Sequence, residues 1–160
     1  MEKQEKALLT IIVPAYNVEA YIEECLNSLV NQTVRNHKII IVNDGSTDKT
    51  EEKCLKYKEE YEELITYVYQ DNKGLGGARN TGMQYVDTPY LTFLDSDDWL
   101  SIKFVEKFSK LMEWTDEKPE MVFTLPWVFD SVTNCIRPWK DKELYENIFE
   151  VKINHTLKLM

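Results

Sequence analysis

The chain has 160 residues, 43% of them hydrophobic, with a net charge of -9. That is enough apolar material for one globular domain with a sizeable core, and its acidity argues against a nucleic-acid binder, because phosphate backbones are held by clustered Lys and Arg. Cys25, Cys54 and Cys135 are far apart and in no CxxC spacing, which argues against a disulfide framework or a zinc site and fits a reducing cytoplasm.

No apolar run approaches the ~20 residues that span a bilayer. Met1 to Ala15 shows no signal-peptide cleavage pattern, so the expected location is cytoplasmic, with peripheral attachment at the inner membrane face compatible with it. Leu8 to Val13 is almost continuously apolar and β-branched in its second half, the pattern of a strand buried on both faces of a parallel sheet, and Pro14 is expected to end it. Asn17 is then placed to cap a helix, whose apolar positions Val18, Tyr21, Ile22, Cys25, Leu26, Leu29 and Val30 follow helical spacing.

Lys38 to Val42 predicts a second buried strand, stopped at Asn43-Asp44-Gly45-Ser46, with Ser46 or Asp48 capping a helix to about Tyr61. The stripe of that helix, Cys54, Tyr57 and Tyr61, is thin, so one face should be wet. Leu64 to Tyr69 predicts a third strand, and the glycine loop Asn72 to Gly77 leads into a short helix using Ala78, Thr81, Gly82, Tyr85 and Val86. Tyr90 to Leu94 is the fourth strand, and Val105, Phe108, Leu111 and Met112 mark a further amphipathic helix. Thr115 to Glu120 is a polar break. Met121 to Phe129 is strand-like, but Pro126 demotes it to an edge or bulged strand. Alternating strands and helices predict a three-layer α/β fold with a mostly parallel sheet and helices on both faces, whose ligands bind at the carboxyl ends of the strands.

The fourth strand stops at Asp95-Ser96-Asp97-Asp98. Two carboxylates about 4 Å apart repel by roughly 4 kcal/mol at an effective dielectric near 20, a cost that a hard cation shared with phosphate oxygens relieves. The alternative is that Asp97 or Asp98, Asp98 above all, caps a helix starting near Trp99. Gly74, Gly76 and Gly77 could admit a phosphate, but Arg79 stands where a GxGxxG fingerprint needs its third glycine, and no GxxxxGK[ST] run exists. Lys73 and Arg79 instead put two cations beside that loop, Arg79 on the first helical turn.

Taken together, IIVPAYNVEAYIEECLNSLVNQT, IIIVNDGSTDKT, NKGLGGARNTG and YLTFLDSDDW resemble the family 2 glycosyltransferases of GT-A fold over residues 8 to 100. The resemblance implies a Rossmann-like GT-A sheet and a nucleotide-diphosphate sugar donor, with a UDP-sugar favoured. It implies Pro14, Tyr16 and Asn17 beside the nucleobase, Asp44 near base or ribose, and Lys73, Gly74, Arg79 and Asp95 around the rest of the donor. It further implies that Asp95 and Asp97 hold a divalent metal, Mn²⁺ or Mg²⁺, with Asp97 the principal ligand, and that a glycan or lipid-linked acceptor hydroxyl attacks with inversion to build a polysaccharide or other surface glycan. The family carries its general base well after the DxD motif. No such residue can be assigned here, and Asp130, Asp141 and Glu143 are only loosely placed candidates. On this reading residues 1–160 are a single GT-A-type domain, 8–114 being the nucleotide-sugar-binding part and 115–160 the start of an acceptor-side part of a longer enzyme. Such a piece could bind its donor without transferring it, and could self-associate through the Met121 to Phe129 edge.

Overall fold

The computed structural model describes residues 7–114, 120, 127–130 and 135–138. The chain divides into two compact units, Met1–Asp116 and Glu117–Met160. The first contains strands β1 (Leu9–Ala15), β2 (His37–Asp44), β3 (Ile65–Gln70) and β4 (Tyr90–Phe93), all parallel, in the order β3-β2-β1-β4. Its helices are α1 (Ile22–Val30), α2 (Thr50–Glu60), α3 (Gly74–Met83) and α4 (Phe104–Trp114). In the second unit β5 (Trp127–Asp130) pairs antiparallel with β6 (Cys135–Pro138). Asp141, Glu143, Pro126 and the segment 121–126 lie outside the described residues.

Right-handed crossovers in this strand order put α1 and α2 on one face and α3 on the other, giving three layers. Side chains alternate along each strand, and Ile12, Ile40 and Val42 form one buried cluster with Ala78 of α3, joined by Val68, Val86 and Phe93. Ile11, Val13, Ile39 and Ile41, equally buried, occupy the opposite face. The seven residues of β1 are all buried, as its continuous apolar run requires. Helix α2 buries only Thr50, Cys54 and Tyr57, so its outer face is wet.

Four local expectations are corrected. Pro14 does not end β1 but lies inside it, opposite Val42. Leu94 N donates to Ile12 O at 2.9 Å, so the even positions of β1 face β4, whose pairing stops at Ile12↔Phe93; at Pro14 no partner strand remains to need an N–H. Asn17 is not a helix cap, since α1 starts five residues later and Asn17 has the left-handed φ of 51°. The glycine stretch is not a loop before a helix but the beginning of α3, so Arg79 sits in its second turn. The helix expected near Trp99 begins only at Phe104, and Asp97 and Asp98 therefore do not cap it. The first-turn N–H of Phe104 is taken by the Ser101 carbonyl at 2.9 Å.

Helix α3 approaches the sheet closely because Gly82 has no side chain: a Cβ there would stand 2.5 Å from Ile12 Cγ2 and 3.3 Å from Val42 Cγ2. Gly82→Ala is expected to destabilise by about 1–3 kcal/mol of overpacking, reduced by the ~1 kcal/mol gain in helix propensity. Gly76→Ala has nothing within 4 Å to meet and should stabilise. Thermal unfolding of the two variants should therefore move the midpoint in opposite directions, and a rise for both would show that α3 does not pack as described.

Candidate functional site

Because the four strands run parallel, the segments that leave them emerge at one edge of the sheet. The strand order reverses between β1 and β4: the chain moves from β1 outward to β3, then crosses back to the other side of β1. Such a switch point opens a crevice, here flanked by Tyr16 and Asn17 after β1 and by Asp95 after β4.

The first two loops are tied to each other. Asn17 N donates to Ser46 Oγ at 3.1 Å, and Asn17 Oδ1 accepts from Thr47 N at 2.8 Å. Asp48 accepts from Thr50 N at 2.9 Å and Glu19 N at 3.0 Å, while Glu19 Oε2 accepts from Lys49 N at 2.8 Å. Each loop thus satisfies backbone donors of the other, a capping box split between two segments. Burial pushes the Asp48 carboxyl up, but hydrogen bonds from Thr50 and Glu19 outweigh that and hold it below the usual range. Buried Asn43 completes the turn, accepting from Ser46 N at 3.0 Å and donating to Tyr67 Oη at 2.9 Å.

Asp44 closes β2 and is 3% exposed. Its Oδ1 accepts from Gln70 Nε2 at 2.5 Å and from Lys73 N at 2.8 Å, so it joins the ends of β2 and β3 to the start of α3. Gly45 and Gly74 both have φ of 73°, and a Cβ on Gly45 would lie 3.0 Å from Asn72 N, so the turn needs glycine there. Tyr16 is 49% exposed, which removes core packing as the reason for its ring.

Arg79 crosses from α3 to the acidic turn. Its Nη2 donates to Asp95 Oδ1 at 2.7 Å and its guanidinium lies 5.3 Å from the centre of the Phe93 ring. The turn is closed by Asp98 N donating to Asp95 O at 3.0 Å. Burial, then the neighbouring Asp97 and Asp95, push the Asp98 carboxyl up. Beneath the turn, burial and then Asp98 lead the effects that push the Cys25 thiol to about 12, so it is a neutral thiol rather than a nucleophile.

Among the described residues no group of three His, Cys, Asp or Glu could hold a metal ion. Asp95 and Asp97 are both exposed on one turn. Two carboxylates fit a hard divalent ion that completes its shell with phosphate oxygens and water, and do not fit an all-protein cage. Of the expected site residues, the structure brings Arg79 to Asp95 and Asp44 to the backbone of Lys73. Pro14 is buried in β1, and the Asn17 side chain is turned to the second loop. Asp48, Glu19, Gln70 and Asn43 were not singled out as site residues; only the Asn-Asp-Gly-Ser-Thr-Asp run, rich in capping residues, signalled that the second loop had a structural task.

A parallel sheet with its polar loops gathered at one switch-point edge, closed by an acidic turn, is the architecture of GT-A glycosyltransferases. The chain belongs to glycosyl transferase family 2, whose profile matches residues 10–156. It is 46% identical over 107 residues to the glycosyltransferase GlyA of Streptococcus pneumoniae, covering 66% of this chain and 15% of that protein. It is 41% identical over 102 residues to the minor teichoic acid biosynthesis protein GgaB of Bacillus subtilis, covering 62% of this chain and 11% of the relative. Among solved structures it is similar to S. aureus TarS 1-349 in complex with UDP, with TM-score 0.62 and 28% identity over 66% of this chain and 32% of that one. The chain thus spans a minor part of the length of each.

Asp48→Ala removes the acceptor shared by two backbone N–H groups and should cost about 0.5–2 kcal/mol in urea unfolding at neutral pH. Since the folded carboxyl titrates below its unfolded value of ~3.9, its contribution is present above that pH and lost as pH falls through the folded value. The gap between variant and parent should accordingly narrow in acid; a gap unchanged down to the acid limit would exclude the carboxylate as its source.

Proposed function

We propose that this chain is the donor-binding part of a metal-dependent, inverting glycosyltransferase that uses a nucleotide-diphosphate sugar, with a UDP-sugar favoured, in the synthesis of a cell-surface glycan. The observation that carries this reading is the pairing of Arg79 with Asp95 at 2.7 Å at the switch-point edge, where the segment after β1 that contains Tyr16 also emerges. Support comes from the TarS structure, whose ligand is UDP, and from the relative named for teichoic acid biosynthesis.

In this reading the exposed ring of Tyr16 stacks on the base and Asp44, fixed by Gln70 and Lys73 N, hydrogen-bonds base or ribose. Pro14 and Asn17 shape that wall from within and behind. Lys73, Gly74 and Arg79 line the approach to the diphosphate at the N-terminal end of α3, which favours an anion. Asp95 and Asp97 would hold Mn²⁺ or Mg²⁺, which supplies neutralisation of the charge that develops on the leaving diphosphate. Arg79 supplies a second positive charge while it keeps Asp95 oriented. An acceptor hydroxyl, of a glycan or a lipid-linked sugar, attacks from the opposite face and gives up its proton to a base. Asp130 in β5 is one candidate for that base; Asp141 and Glu143 lie outside the described residues. Among the described residues no helix is long and apolar enough to cross a membrane. The proposed setting is cytoplasmic, at the inner face of the membrane where a lipid-linked acceptor is presented, and association between copies is compatible with it.

Calorimetric titration with UDP, with and without Mn²⁺, tests the reading. Affinity should rise with the ion, and Asp97→Ala should remove that rise more completely than Asp98→Ala; equal losses would reject the assignment of Asp97. Tyr16→Ala should weaken UDP in the presence or absence of the ion, and parent-like binding by that variant would remove Tyr16 from the site.

A further inference from the structure

Helix α1 does more than bury an apolar stripe. Cys25, Ser28 and Gln32 stand three and four residues apart, so they follow one side of the helix and the turn beyond it. Each meets the segment that leaves β4. The Cys25 thiol lies 3.9 Å from the Asp95 carbonyl oxygen, a weak donor's contact. Ser28 Oγ accepts from Leu100 N at 3.1 Å while donating to the Cys25 carbonyl at 2.7 Å. Gln32 is 6% exposed; its Nε2 donates to the carbonyls of Ser28 and Ser101, each at 2.8 Å, and its Oε1 accepts from Val105 N at 2.9 Å. Thr33 N adds a bond to Ile102 O at 2.8 Å.

Between Phe93 and Phe104 the chain has neither helix nor strand, and it carries three carboxylates whose mutual repulsion opposes any fixed turn. Arg79 restrains the front of this segment through Asp95. Its rear is held by Ser28 of α1 and above all by Gln32 in the turn after α1, which bridges the connection and the first turn of α4 with one side chain. We propose that Ser28 and Gln32 are positioning residues that fix the acidic turn, and with it the diphosphate half of the donor site. The inference rests on the donor reading above and assigns the side chains of α1 a task within it. A ligand set of only two carboxylates tolerates little slack, because both must face one ion at once. A merely structural role for Gln32 would lower stability and leave ligand affinity alone.

Gln32→Met keeps the volume and abolishes three hydrogen bonds; Ser28→Ala abolishes two and is the milder change. Two readouts apply to the 160-residue chain: ligand-free amide exchange at Leu100 and Val105, and UDP titration with and without Mn²⁺. Both amides are expected to exchange faster in Gln32→Met, and Leu100 in Ser28→Ala. The Mn²⁺-dependent gain in UDP affinity should fall about 10-fold in Gln32→Met, as when groups supporting metal ligands are removed, with metal-free UDP binding unchanged. Variants that retain the full Mn²⁺-dependent gain, whatever their melting temperature, overturn the proposal and leave the donor reading standing. A parent chain that binds no UDP under either condition overturns both.

Discussion

Strand β1 must satisfy two neighbouring strands and two helical layers at once, and the rest of the structure follows from how it does so. Seven consecutive buried residues leave it no wet face, and β2 matches it except at half-buried Lys38. It pairs with β2 along its whole length but with β4 only as far as Ile12. Beyond that point Leu94 and Asp95 leave the sheet while β1 continues to Ala15, and Pro14, which has no N–H to offer toward β4, has no partner there to need one. The crevice at the switch point is this mismatch in length. The same strand sets the depth of α3, because only a glycine at position 82 lets the helix rest on Ile12.

Charge is arranged against the overall trend of the molecule. Under the proposed function a chain of net charge -9 has to concentrate its positive features to hold a diphosphate, and Arg79 in α3 and Lys73 just before it are the cations placed for that. The acidic turn sits opposite these. Alone it would repel a diphosphate; under the proposed function its carboxylates recruit a cation, and that role requires the geometry of the turn to be controlled. Arg79 has one hydrogen bond to Asp95 and one face on Phe93, a pairing that a point charge such as Lys could not reproduce.

Rigidity at the loop edge comes from side chains that finish other segments' backbone hydrogen bonding. Neither α1 nor α2 has a side-chain hydrogen bond from its own N-cap residue. Glu19, Asp48 and Thr50 instead cap across the gap between the loops, with Lys53 Nζ donating to Glu19 O at 2.8 Å and Glu23 Oε2 at 2.6 Å. Helix starts and site walls are therefore one construction, and disturbing one loop disturbs the other.

The four strands of the parallel sheet were legible in the sequence because runs such as Leu8 to Val13 and Lys38 to Val42 are too apolar to be anything but buried on both faces, and their loops had to fall at one edge once the sheet was parallel; β6 was not legible. Asp95, Asp97 and Arg79 stood out for the same reason: charge placed abruptly beside apolar strand or glycine-rich helix has to be accounted for. What sequence periodicity could not decide was where each segment ends and which backbone donors its polar residues serve. Asn17 and the Asp97-Asp98 pair look like local helix caps, but capping is a short-range rule, and here the partners lie about 30 residues away for Asn17, with α4 starting only at Phe104. Likewise nothing in the spacing of Ser28 and Gln32 shows that they serve Leu100, Ser101 and Val105, 69 to 73 residues on. Those pairings exist only once the crossovers have laid α1 beside the connection after β4, since a hydrogen bond depends on distance in space and the sequence records only order along the chain.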